Sequence, residues 1–206
     1  MARATPSTVS DSPRDAVALL KQDHRTVEAL FDQFEKAEEE ERSSLAERIC
    51  QLLTVHAQIE EEILYPAARE ALEEEGEDVD LVAEAKVEHT TAKELIGKIE
   101  AMSGEEEEFP ATVKVLGEYV KHHVKEEEGE LFPKLRKTEL DLKEMGNRLA
   151  ERKFALMEQM GIPQTEPVET RKQAAAAART SRAKSARARA SKSGRSRSAN
   201  SRAARH

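Results

Sequence analysis

An all-α chain folding as an antiparallel four-helix bundle is predicted by three features of the sequence. Charged residues make up 36% and aromatics only 3%, with no tryptophan, a composition that disfavours sheets and suits helices. Apolar residues recur at spacings of three and four through four successive segments, the period of a helix face. The third feature is a repeated phrase. His56-Ala57-Gln58-Ile59-Glu60-Glu61-Glu62-Ile63-Leu64-Tyr65-Pro66 returns sixty-seven residues later as His123-Val124-Lys125-Glu126-Glu127-Glu128-Gly129-Glu130-Leu131-Phe132-Pro133. Each copy places a His four residues before a Glu and ends Leu-aromatic-Pro. A helix pair repeated with short connections closes as four antiparallel helices with approximate internal two-fold symmetry.

The elements follow in order. Residues 1–10 are Ser, Thr, Ala and Pro without periodicity and are expected to be disordered. Asp11-Ser12-Pro13 reads as a helix start, a capping side chain followed by a proline whose missing N–H costs nothing there. The first helix then runs to about Lys36, with Val17, Leu20, His24, Val27, Phe31 and Phe34 in phase. The acidic run Glu38–Glu41 reads as a solvated turn, and the second helix as beginning at Ser43 or Ser44. Its stripe is Ile49, Leu53, His56, Glu60, Ile63 and Ala67, with Pro66 kinking or breaking it and Gly76 closing it. The third helix is expected from Asp78 to Met102, carrying Val82, Ala85, His89, Ala92, Ile96 and Ile99, and stopping at Ser103-Gly104. Pro110 opens the fourth, whose stripe is Val113, Leu116, Val120, His123 and Glu127, continuing toward Leu131. A fifth amphipathic helix, Thr138 to Met160, is expected to lie on or beside the bundle, ending at Gly161-Ile162-Pro163. The organisation is thus 1–10 as a disordered terminus, 11–137 as the bundle, 138–162 as an additional helix and 163–206 as a disordered basic tail.

With 206 residues, one core plus appendages is the expectation. Cys50 is the single cysteine, so no internal disulfide forms, which suits a reducing cytoplasm. No run of about 18 apolar residues exists to span a membrane. Met1–Asp11 carries one Arg and no apolar stretch, so a secretory leader is not expected and a cytoplasmic location is. The net charge of −8 conceals a split. Arg171–His206 holds twelve of the 33 Lys and Arg and none of the 41 Asp and Glu, leaving the first 170 residues at −20.

Residues four apart on a helix stand one above the other. Each His-x-x-x-Glu therefore offers an imidazole and a carboxylate to one point. Each of the four main helices supplies one in-phase His: His24, His56, His89 and His123; in-phase carboxylates are Glu60 and Glu127. Four imidazoles and two glutamates facing one interior can hold two ions, each with two His, bridged by the carboxylates, as in di-iron carboxylate bundles. A single His in a helix stripe is more often a hydrogen-bonded core residue than a ligand. Four such coincidences, two with Glu at the fourth place on, reverse that balance, because burying these groups unpartnered costs several kcal/mol each. The donor mixture suits iron, with zinc or manganese as alternatives.

At these residues the chain resembles the hemerythrin-like HHE cation-binding domain, in the order His, His-x-x-x-Glu, His, His-x-x-x-Glu. The matching text is DHRTVEALF at 23–31, HAQIEEEILYP at 56–66, EHTTAKEL at 88–95 and HHVKEEEGELFP at 122–133. The resemblance covers about residues 11–137. It implies that His24, His56, Glu60, His89, His123 and Glu127 ligate a non-haem di-iron centre, and an association with oxygen, nitric oxide, peroxide or iron. Oxygen-carrying hemerythrins have a further His one turn after the third-helix His, and Asp rather than His-x-x-x-Glu on the fourth. Here those places are Lys93 and His123-x-x-x-Glu127. Metal storage, sensing or oxidant consumption is favoured over reversible oxygen carriage.

Local alternatives stay open at this stage. His122 and Glu126 share the four-residue spacing, although the offset to Pro133 and the apolar stripe favour His123 and Glu127. His122 would then flank the site. Glu61, Glu62, Glu126 and Glu128 read as a solvated face from which one could supply a terminal carboxylate. Tyr65 and Tyr119 could present hydroxyls to the site or simply pack. Cys50 reads as a buried inert thiol.

From Gln164 the composition shifts to Ala, Ser, Arg and Lys, resembling in composition alone the tails of bacterial nucleoid proteins and linker histones. Twelve cations condense on a polyanion in a salt-sensitive, sequence-independent way, so Arg171–His206 is a candidate for non-specific nucleic acid and a nucleoid-associated location. The acidic bundle itself, or another partner, is the competing target, and no aromatic is present for base stacking. Three function classes result: a metal-binding protein that binds, senses or consumes a small diatomic or peroxide ligand or iron; a DNA-anchored protein carrying that bundle as an iron or oxidant sink; and a peroxidase or oxidase enzyme.

Overall fold

The helix α1 (Ala16–Lys36) begins at Asp15, whose Oδ1 accepts from the Ala18 N–H at 2.8 Å and so satisfies one of the free donors of the first turn. The structure is a computed structural model in which residues 15–77 and 79–163 are described. The start expected at Asp11–Pro13, the disordered 1–10 and the tail from 164 lie outside them. Every regular element among the described residues is helical.

Helix α2 (Glu39–Ile59) starts earlier than Ser43, and the presumed turn Glu38–Glu41 is its N-cap and first helical residues. Three glutamates there meet the positive end of the helix dipole and its free N–H groups, which makes an acidic run a good first turn. Beyond Ile59 the helix does not break at Pro66. It widens into a π turn (Glu60–Leu64), the Tyr65 N–H reaching five residues back to the Glu60 carbonyl, and continues as α3 (Tyr65–Glu74). A proline ring clashes with the carbonyl four residues before it, here Glu62, and the wider turn accommodates that. The extra residue moves the inward face on by one. Leu64, Tyr65, Ala68 and Leu72 are fully buried in place of the expected Ile63 and Ala67, which are only half-buried. Gly76, at φ +69°, ends the segment with the Glu77 N–H on the Leu72 carbonyl at 2.9 Å, the left-handed closure that glycine permits.

Helix α4 (Asp80–Ala101) and helix α5 (Phe109–Glu126) follow, with Pro110 in the first turn of α5. The second copy of the repeat behaves as the first. A π turn (Glu127–Leu131) precedes α6 (Phe132–Leu135), which contains Pro133. Helix α7 (Leu142–Gln159) is shorter than expected, because Asp141 caps it through the Lys143 and Glu144 N–H groups at 3.0 and 2.9 Å. Thr138 is drawn into a local turn instead, its hydroxyl donating to the Leu135 carbonyl.

Two apolar clusters form the core. One takes Leu19 and Leu20 from α1, Ile59 from the end of α2, Val82 and Ala85 from α4 and Leu131–Leu135 from beyond α5. The other takes Val27–Phe34, Ala46–Leu53, Ile96 and Ile99, and Phe109–Leu116. Following the chain, α1 and α4 run from the first cluster to the second, while α2 and α5 run from the second to the first. That order is an antiparallel four-helix bundle. The residues between the clusters on every helix are the polar ones: His24, His56, Glu60, His89, His123 and Glu127 are all buried.

Helix α7 lies along α1 and α2 at the first cluster, contributing Met145, Leu149, Leu156 and Met157. Gly146 makes this approach possible: a Cβ there would sit 2.8 Å from the Ala16 nitrogen and the Asp15 carbonyl carbon. Backbone atoms cannot step aside as a side chain can. Gly146→Ala is expected to destabilise the chain by about 1–3 kcal/mol, read as a lower urea midpoint; an unchanged midpoint would mean that α7 does not rest on the start of α1.

Candidate metal centre

Helix phase brings all six predicted residues to one layer. The imidazoles meet in pairs, His24 Nε2 3.1 Å from His56 Nε2 and His89 Nε2 3.1 Å from His123 Nε2. Each glutamate stands between the pairs. Glu60 Oε2 is 3.1 Å from His56 Nε2 and 3.4 Å from His89 Nε2; Glu127 Oε2 is 3.4 Å from His24 Nε2 and 3.6 Å from His123 Nε2. Ligand atoms of His24, His56, Glu60 and Glu127 all lie within 4.8 Å of one another, as do those of Glu60, His89 and His123. Glu60 belongs to both groups. The alternative pair, His122 and Glu126, is not in this layer: His122 is largely exposed on the outer face.

A second layer of carboxylates backs the ring nitrogens. His24 Nδ1 is 2.9 Å from Glu128 Oε1, His89 Nδ1 is 3.1 Å from Glu61 Oε1, and His123 Nδ1 is 2.8 Å from Glu88 Oε2. The fourth, His56 Nδ1, faces Asp23 Oδ2 at 3.7 Å, beyond hydrogen-bond reach. Asp23 is one methylene shorter than its counterpart Glu88, and its other oxygen is held by Lys153 from α7. A carboxylate at Nδ1 keeps the proton on that nitrogen and leaves the Nε2 lone pair directed inward, the tautomer a metal requires.

These partners were not separable from a solvated face in the sequence. Glu61 and Glu128 sit inside glutamate runs, and only the neighbouring helix reveals their role. The available signal was position: each directly follows an inward Glu, just as Asp23 and Glu88 directly precede an inward His. Lys93, at the place where the resemblance would put a further His in an oxygen carrier, clamps both oxygens of Glu61 at 2.6 Å. Tyr65 also belongs to the site; its hydroxyl donates to Glu127 Oε1 at 2.9 Å and lies 3.2 Å from His89 Nε2. Tyr119 only lines the adjoining cavity. Cys50 is buried, and burial pushes its thiol up to about 12.

The electrostatics are those of a site built for added positive charge. Burial, and then the nearby Glu127 charge, push the Glu60 carboxyl well above the usual carboxylate range. Burial opposes charge on His24 as well, yet the Glu127 carboxylate beside it raises it to about 9, whereas burial carries His56 down to about 4. Neither Glu60 oxygen nor Glu127 Oε2 has a hydrogen-bond partner, although buried carboxylate oxygens are costly to leave unpaired. The residues therefore fit a metal: orphaned carboxylate oxygens aimed at the same space as four imidazoles, three of them with the tautomer fixed by a carboxylate, are what a cation would satisfy. A cavity of about 30 Å³ adjoins the layer, lined by the histidines and by Val27, Leu53, Ala92, Ile96 and Val120. By volume it admits about one or two water-sized molecules.

The family model for the hemerythrin HHE cation-binding domain matches residues 15–135. A solved hemerythrin HHE cation-binding domain-containing protein of Mycobacterium kansasii shares the fold, with a TM-score of 0.60 and 23% identity over 70% of this chain and 88% of that one. A curated relative, a DNA nickase of the cyanobacterium Nostoc, is 32% identical over 119 residues, or 57% of this chain. The chain spans about a third (32%) of that relative's length.

The unpaired oxygens generate a prediction about the metal-free chain. Glu60→Leu, which keeps the volume and removes the orphaned carboxylate, is expected to stabilise chelator-stripped protein by about 1–3 kcal/mol, read as a higher urea midpoint. A lower midpoint would show that Glu60 has a favourable partner in the absence of metal.

Proposed function

The chain belongs to the hemerythrin HHE cation-binding domain family, and on that premise we propose that it holds two iron ions in the mid-bundle layer and binds, senses or consumes a small oxidant there. His24 and His56 would serve one ion, His89 and His123 the other, with Glu60 and Glu127 between them. The observation that carries this reading is Glu60: fully buried, shared by both donor groups, and without a hydrogen-bond partner on either oxygen. Iron in such a site supplies redox electrons and coordination positions open to a small molecule.

The chain's own groups define how that chemistry would be handled. Glu61, Glu88 and Glu128 hold Nδ1 protons and so orient three rings. Tyr65 stations a hydroxyl proton between Glu127 and His89, and burial pushes its phenol far above the ordinary range, so that it donates a hydrogen bond rather than ionising. The apolar lining of the adjoining cavity favours neutral molecules of two or three atoms over anions or larger substrates.

Metal analysis tests the reading directly. Protein produced with iron supplied is expected to contain about two ions per chain and to show a near-ultraviolet charge-transfer band that changes on reduction or exposure to nitric oxide. Less than one ion per chain would overturn it.

A second reading rests on Arg171–His206, with twelve basic and no acidic residues, and on a relative whose name is DNA nickase. There the tail would anchor the bundle to nucleic acid through counterion release. Deleting residues 164–206 should then abolish salt-dependent retention on DNA and leave the iron content unchanged. Retention that survives the deletion would remove the nucleic-acid role from the tail.

A further inference from the structure

The two halves of the repeat match inside the bundle but not outside it. Asp23 and Glu88 are counterparts, each placed behind an inward imidazole of the next helix. In the first half α7 covers that place, and Lys153 brings an ammonium onto Asp23. The residues around it, Leu19, Val55 and Ile59, are buried and apolar. In the second half no helix among the described residues covers the matching place. By the offsets of 65 and 67, the positions of Leu19, Val55 and Ile59 are taken by Glu84, His122 and Glu126. These residues and Glu88 line an open pocket of about 440 Å³ with Ala83 and Val87, and no Lys or Arg is in its wall.

Three apolar residues under a helix have thus become two carboxylates and an imidazole around a third carboxylate, that of Glu88. The arrangement is also convergent. Ligand atoms of Glu88, His122 and Glu126 lie within 4.8 Å of one another, His122 Nε2 standing 3.1 Å from Glu126 Oε1 and 3.6 Å from Glu88 Oε1. Ligands about 2.1 Å from one ion are separated from each other by about 3.0 Å at right angles, close to these distances. Among the described residues, Glu88 has no Lys or Arg in an ion pair, while Asp23 has one.

We propose that Glu88, His122 and Glu126 form an outer divalent-cation site, separate from the buried centre, in which an exchangeable ion takes the place that the Lys153 ammonium fills in the other half. One imidazole and two carboxylates suit zinc, iron(II) or manganese(II) rather than calcium or magnesium, with water completing the coordination and Glu84 adding negative charge at the rim. Glu88 spans the two sites. Its Oε1 faces His122 and its Oε2 receives the His123 Nδ1 proton at 2.8 Å. An ion at the surface therefore acts on an inner imidazole through a single carboxylate.

The test uses full-length protein with its iron in place, dialysed against zinc at micromolar free concentrations, zinc and iron being counted in the same sample. Wild type is expected to hold one more zinc ion than His122→Ala or Glu126→Gln, with zinc affinity falling at least tenfold in each variant and iron content unchanged. His122 is largely exposed and Glu126 partly so, and a circular-dichroism melt checks that both variants fold. Equal zinc binding by wild type and both variants overturns the proposal. The zinc difference is read independently of iron, so an empty inner centre would defeat the reading of the buried layer without deciding this one.

Discussion

The bundle is organised around a layer of six polar side chains buried between two apolar clusters. In an ordinary four-helix bundle that layer would be leucine and valine, because each unpaired carboxylate or imidazole forfeits its hydration on burial. Here every helix interrupts its stripe at the same height, and the interruption is backed by carboxylates that fix three of the four imidazoles. The clusters on either side supply the folding energy that lets the layer persist. A protein optimised only for stability would have no reason to keep it.

The π turns are the second device. Each begins at the inward glutamate and ends at the residue before the aromatic that precedes the proline. Glu60 and Glu127 are therefore the last residues of the regular ladder's phase, and the chain beyond them presents a new face. This lets Tyr65 turn inward and bring its hydroxyl to the site, while Phe132, its counterpart, stacks near His24 with ring centroids 6.0 Å apart. Matching positions thus carry a polar aromatic in one half and an apolar one in the other.

Much of the architecture was legible because helix phase is a strong signal. The stripe distinguishes His56 from its neighbours, picks Glu60 out of three consecutive glutamates, and prefers His123 and Glu127 to the equally spaced His122 and Glu126. Extrapolating that same period past Glu60 is what misplaces Ile63 and Ala67, since an inserted residue has no mark in a single sequence beyond a proline two positions later. The early start of α2 was hidden because a run of glutamates reads as solvent-loving, whether it is a loop or a dipole-matched first turn. The carboxylates behind the imidazoles were hidden for a different reason: each serves a ring on another helix, and one-dimensional spacing carries no information about that pairing.

Helix α7 makes an internally repeated cage electrically lopsided. On its side, Asp23 shares its charge with Lys153 and stands 3.7 Å from His56; opposite, Glu88 has no Lys or Arg in an ion pair among the described residues and accepts from His123 Nδ1 at 2.8 Å. A carboxylate that is not neutralised makes its imidazole the more electron-rich donor. Cations held in the layer would then meet unequal donors, the His123 imidazole being the more strongly polarised and His56 the less.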